Sequence, residues 1–219
     1  MIIFDNMLKT HTTLLPCKND IARAYKLLKQ AYEQGGKVLV CGNGGSAADC
    51  EHIVGELMKG FKMKRPIPAA FRIKLSEAGG SVVADYLQRT LPAISLVSQT
   101  ALMTAFSNDL CFDYIFAQQV YGYGKKGDVL IAISTSGNAV NVLNAVYVAR
   151  ALGMNVLGMS GADGGTIKDL CDVCLCVPAA DTASVQEMHL PVYHALCASL
   201  EDAFFGKNED NLNDGGRSK

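Results

Sequence analysis

The chain of 219 residues has no tryptophan, only six prolines and four histidines, and no excess of either charge, with 20 basic side chains against 21 acidic. Near-neutrality excludes the dense basic surface that sequence-independent nucleic-acid binding requires, because such binding is driven by released counterions. No apolar run approaches the roughly 20 residues needed to cross a bilayer. Met1 to Pro16 breaks its apolar residues with Asp5, Lys9 and His11, unlike a secretory signal. The expectation is a cytoplasmic protein with neither nucleic acid nor membrane as partner. What the chain has in quantity is apolar side chains, 49%, together with 21 glycines and eight cysteines. The cysteines lie mostly inside apolar runs, where a reduced thiol packs as a small hydrophobe, so disulfides are not expected.

Strand-like runs recur at residues 37–41, 92–97, 128–133, 155–158 and 172–177. They are continuous rather than alternating, as in strands buried on both faces. Segments of helical character lie before and between them, at 19–34, 46–59, 101–105, 112–121, 138–152 and 184–205. Strand and helix in alternation predict a parallel sheet covered by helices on both sides. In such sheets ligands bind beyond the carboxyl ends of the strands, which directs attention to the loops after Cys41, Ile133 and Val177. Three parts are expected: an N-terminal helical arm over 1–36, an α/β domain over 37–206, and a disordered tail over 207–219. Residues 66–91 interrupt the pattern and read as a loop excursion with a short helix near 82–88.

After the first strand comes Cys41-Gly-Asn-Gly-Gly-Ser46, a glycine-rich turn entering a helix. Its backbone N–H groups and the helix macrodipole would stabilise an anion, most simply a phosphate. The plainer alternative is that Ser46 only caps the helix. A second such turn, Ser134-Thr-Ser-Gly-Asn138, offers three hydroxyls at the next helix start, and two at neighbouring strand ends favour a small phosphorylated metabolite. His52 and Glu56, four apart on a helix, share a face and could grip one cation or shuttle protons. On the last helix, Gln186 stands about 60° from His189 and about 80° from His194, while the two histidines diverge by about 140°. They are therefore not expected to serve one site, and spacing does not choose between them. Cys171-x-x-Cys174-x-Cys176 is expected to be packing, with sulfurs on opposite sides of a strand.

In combination, Cys41-Gly-Asn-Gly-Gly-Ser46, His52-x-x-x-Glu56, Ser107-Asn-Asp109, Ser134-Thr-Ser-Gly-Asn138, Gly161-x-Asp-Gly-Gly165 and Asp181-Thr-Ala-x-Val-Gln-Glu-x-His189-x-x-x-x-His194 resemble the phosphoheptose isomerases of the sugar isomerase (SIS) superfamily. The resemblance runs in order from about residue 20 to 205. It implies a doubly wound five-stranded parallel sheet flanked by helices, a flavodoxin-like three-layer sandwich. It also implies a homotetramer with one zinc per subunit and conversion of sedoheptulose 7-phosphate to D-glycero-D-manno-heptose 7-phosphate in heptose biosynthesis. Carried over by position, Asn43, Gly44, Gly45, Ser46, Ser134, Thr135 and Ser136 would hold substrate and phosphate, and Asn108 and Asp109 the sugar hydroxyls. His52, Glu56, Gln186 and His194 would ligate zinc, Glu56 and Gln186 would also touch substrate, and Glu56 and His194 would be the acid/base pair. His189 is left to packing or support.

Isomerisation through an enediolate needs a base, an acid and nearby positive charge, which these residue types supply. Three departures stand out: Ala139 where the family commonly has a further serine, Ser184 where it commonly has arginine, and an excursion at 66–91 longer than the family's. Competing readings are a non-catalytic SIS regulator, such as a replication-initiator-associating protein, and an isomerase of another sugar phosphate.

Overall fold

The structure is a computed structural model describing residues 2–206. Five strands, β1 (Val38–Gly42), β2 (Ala93–Ser95), β3 (Val129–Ile133), β4 (Asn155–Ser160) and β5 (Val173–Cys176), form one parallel sheet in the order β2-β1-β3-β4-β5. All of β1 and β3 is buried, which is why their sequences are unbroken apolar runs. Successive residues face opposite ways. Val38, Val40, Val129 and Ile131 join a core with α1 (Ile2–Thr10), α2 (Lys18–Glu33), α3 (Gly45–Met58) and α8 (Thr182–Phe205). Leu39, Cys41, Leu130 and Ala132 join a second core with α6 (Ile115–Tyr123) and α7 (Val140–Ala151). The arm before β1 packs on the sheet: Ile21, Ala24, Leu28 and Ala31 recur at helical spacing and are buried.

The strand order reverses between β1 and β3, which pair from Val38 with Val129 to Gly42 with Ile133. Such a switch point leaves a crevice at the carboxyl ends of the two strands, because their crossovers depart in opposite directions. Both hydroxyl- and glycine-rich turns emerge there.

The excursion differs from expectation. Its helix is α4 (Ala69–Glu77), and residues 83–85 form only a single 3-10 turn. The apolar residues Phe71, Ile73 and Leu75 alternate at a spacing of two, so no helical stripe is legible, and no residue of α4 is fully buried. Gly79, at φ +81°, ends the helix in a left-handed conformation that glycine adopts without strain. The segment at 112–121 splits into a 3-10 turn at 112–114 followed by α6. α5 (Thr100–Asp109) is longer than predicted. The cysteine expectation also needs correction. Cys174 and Cys176 are two apart on β5 and share a face, with sulfurs 3.7 Å apart. Cys171 and Cys174 both crowd Gly158, where a Cβ would lie 2.7 and 3.0 Å from their sulfurs. The tail expected at 207–219 lies outside the described residues. Among the described residues no helix is long and apolar enough to cross a membrane.

Candidate active site

The turn after β1 carries Gly44 at φ +57°, and this glycine, not Ser46, occupies the helix cap. Ser46 is the second residue of α3 and is buried. Gly45 admits Gln186 from α8, since a Cβ there would come within 2.5 Å of Gln186 Oε1. The turn after β3 stands alongside. Asn43 and Asn141 exchange two amide hydrogen bonds of 2.8 Å, tying the first turn to α7. Between the turns is a cavity of about 260 Å³ lined by Asn43, Gly44, Gly45, Ser46, Ser134, Thr135, Ser136, Ala139, Thr182 and Gln186.

This cup is built to donate. Ser134 Oγ accepts from Ala139 N at 3.4 Å and Ser136 Oγ accepts from Asn138 N at 3.2 Å. A hydroxyl that accepts from the backbone keeps its own proton for an anion. The N-termini of α3 and α7 add unsatisfied N–H groups. Ala139 stands at the cap position of α7 and contributes no side-chain cap.

Farther along α3 and α8 is a second group. His52 Nε2 lies 3.4 Å from Glu56 Oε1 and 3.2 Å from His194 Nε2. Lys59 Nζ approaches the other Glu56 oxygen at 3.3 Å. The His52 and His194 rings meet edge to face at 4.7 Å, and Phe61 tilts against His194 at 5.4 Å. Burial, then His52 and Lys62, lower the His194 pKa, while Glu56 opposes them. On its outer side His194 borders a cavity of about 380 Å³ shared with His11, Lys62 and residues of α1.

A buried ion pair fixes the loop between α3 and α4. Arg65 Nε meets Glu201 Oε1 at 2.8 Å, both side chains fully buried. Arg65 also donates to the carbonyls of Leu57 at 2.7 Å and Glu56 at 3.0 Å. Glu201 accepts from Phe61 N and Lys62 N at 2.8 and 2.7 Å. Burial alone would raise the Glu201 pKa, but these two backbone donors and Arg65 hold it below the ordinary value.

The sequence-proposed residues thus fall into three places. Asn43 to Ser46, Ser134 to Ser136 and Gln186 form the cup; His52, Glu56 and His194 form the second group. Asn108 and Asp109, in the last turn of α5, bond to each other at 3.0 Å, are exposed and do not line the cup. His189 is buried against Ser160 O at 3.3 Å, facing away from His194. Sequence reasoning missed Thr182 in the cup, Arg65 and Glu201 beneath the loop, and Asp49 and Tyr193 beside His52. Asp49 was findable in principle, lying three residues before His52 on one helix.

The SIS domain family pattern matches residues 6–90 and 75–161. With this fold and cup it defines the class: a SIS-domain protein. A phosphoheptose isomerase of Rhodospirillum rubrum is 41% identical over 187 residues, covering 85% of this chain and 87% of that one. Solved phosphoheptose isomerases from Francisella tularensis and Neisseria gonorrhoeae match with TM-scores of 0.74 and 0.70, each at 33% identity over 91% of this chain and 94% and 95% of theirs. The chain belongs to the phosphoheptose isomerase family and is an isomerase.

Proposed function

We propose that the protein interconverts sedoheptulose 7-phosphate and D-glycero-D-manno-heptose 7-phosphate in heptose biosynthesis. The observation that carries this reading is the meeting of His52, Glu56 and His194 at 3.2 to 3.4 Å, on the two helices whose earlier residues line an anion cup. Ser46 and His52 are six residues apart on α3, about 9 Å along its axis, the order of the span from one end of a sugar phosphate to the other.

In this reading the phosphate sits in the cup, held by the helix N-termini and the hydroxyls of Ser134 and Ser136. Glu56 removes a proton from C1, leaving an enediolate, exchanges it with solvent, and delivers a proton to C2. His194 relays the hydroxyl proton between O1 and O2. Confined geometry and a positioned base each lower the barrier, the latter by about 10² to 10⁴ in rate.

Two imidazoles and a carboxylate match the donor set of catalytic zinc sites that keep an open position. Donors on one tetrahedral zinc, with bonds of about 2.0 Å, stand about 3.3 Å apart. The two spacings at His52, 3.2 and 3.4 Å, agree with that. Among the described residues no group of three or more His, Cys, Asp or Glu side chains is arranged to hold a metal ion as it stands, and Gln186 lines the cup, so holding zinc would require these side chains to draw together. In this reading one zinc per subunit is held by His52, Glu56, Gln186 and His194. Bound, it would supply positive charge that stabilises the oxyanion of the enediolate.

We also propose assembly as a homotetramer. No residue of α4 or α5 is fully buried within one chain, and Phe71, Ile73 and Leu102 remain exposed. A light-scattering mass of one chain would contradict it.

The catalytic reading is tested by incubating the purified protein with sedoheptulose 7-phosphate, with and without a zinc chelator. Turnover that chelation abolishes is the expected result. Binding without turnover would mark a regulator. Absence of both would point to another sugar phosphate, a reading that Ala139 in the cup favours.

A further inference from the structure

We infer that Asp49 and Tyr193 form a relay that orients His52, making Tyr193 a positioning residue for the imidazole at the centre of the site. The inference deepens the reading above and rests on it for the zinc half of its test.

Asp49 and His52 lie three residues apart on α3 and so share a face. From α8, Tyr193 brings its hydroxyl to 3.1 Å from Asp49 Oδ1 and 3.0 Å from His52 Nδ1. The His52 and Tyr193 rings pack edge to face at 5.4 Å. Proton bookkeeping then sets the direction of each bond. A carboxylate only accepts, and a tyrosine hydroxyl has a single proton to give. That proton goes to Asp49, because the opposite choice would set the phenol and carboxylate oxygens against each other as two acceptors. The contact with His52 is therefore made by Nδ1–H donating to the tyrosine oxygen. A neutral imidazole carries one N–H, so Nε2 keeps its lone pair, and Nε2 is the atom that meets Glu56 and His194.

The second oxygen of Asp49 supports this assignment. Oδ2 is buried and has no hydrogen-bond partner among the described residues. A half-satisfied buried carboxylate costs stability. What it supplies here is an acceptor for Tyr193, and through Tyr193 a fixed tautomer on His52. Outer partners of this kind, when lost from a metal site, typically cost 10- to 100-fold in affinity.

Tyr193→Phe deletes one oxygen and keeps the ring. Two quantities are read on wild type and variant: the nitrogen chemical shifts of His52 in metal-free protein, and zinc affinity by competition with a chromophoric chelator. Thermal melting checks that the variant is folded. The relay predicts an Nδ1-protonated His52 in the wild type, mixed tautomers in Tyr193→Phe, and zinc binding weakened by about 10- to 100-fold. Asp49→Asn keeps an oxygen that can accept from Tyr193 and is expected to lose less; in the Tyr193→Phe background its effect disappears. A wild-type His52 protonated on Nε2, or unchanged shifts and zinc affinity in Tyr193→Phe, would overturn the relay. A wild type that binds no zinc would sink the metal assignment instead, and the tautomer measurement would still decide the relay.

Discussion

His189 and His194 stand five residues apart on one helix and meet different surroundings. His194 faces His52, while His189 is fully buried, and burial pulls its pKa down to about 4 against a weaker opposing bond to Ser160 O. Between the unfolded value near 6.5 and about 4, only the unfolded chain binds this proton, so stability is present above that window and falls as pH drops through it. From pH 7 to pH 5 the loss from this one residue is about 2 kcal/mol. His189→Met should remove that part of the slope, as read from urea midpoints at the two pH values. An identical slope in the variant would show that other groups carry the acid sensitivity. Helical angles alone separate the two histidines but do not decide which one the core takes.

At the scale of elements, the junction between α3 and α8 is held by Arg65 and Glu201. Removing one charge of a fully buried pair typically costs about 3 to 5 kcal/mol, since the partner is left uncompensated. Glu201 also satisfies two backbone N–H groups, so a neutral replacement orphans more than the guanidinium. Glu201→Gln should therefore lower unfolding stability by about 3 kcal/mol in chemical denaturation. A change within a few tenths would mean the loop is fixed by other contacts. Strands β1 and β3 were legible because burial on both faces demands unbroken apolar runs. α4 was not, because Phe71, Ile73 and Leu75 alternate in the wrong period and none of them is fully buried. Contacts such as Tyr193 with Asp49, 144 residues apart, leave no local pattern to read.

For the whole molecule, the consequential feature is the reversal of strand order between β1 and β3, which brings two hydrogen-bond-donating turns to one crevice. The parallel sheet was readable from alternating strand and helix, and the turns from their glycines and hydroxyls. The strand order itself was not, because pairing between distant strands is decided by packing rather than by local sequence. α3 and α8 then run from this crevice to the group around His52. Turnover of sedoheptulose 7-phosphate in heavy water by wild type and Glu56→Gln is the most direct test of proton transfer at that group. Solvent deuterium is expected on carbon in the wild-type product, with a rate about 10² to 10⁴ lower in a variant that is still folded and still binds the sugar phosphate. A variant that turns over at the wild-type rate would contradict proton transfer by Glu56.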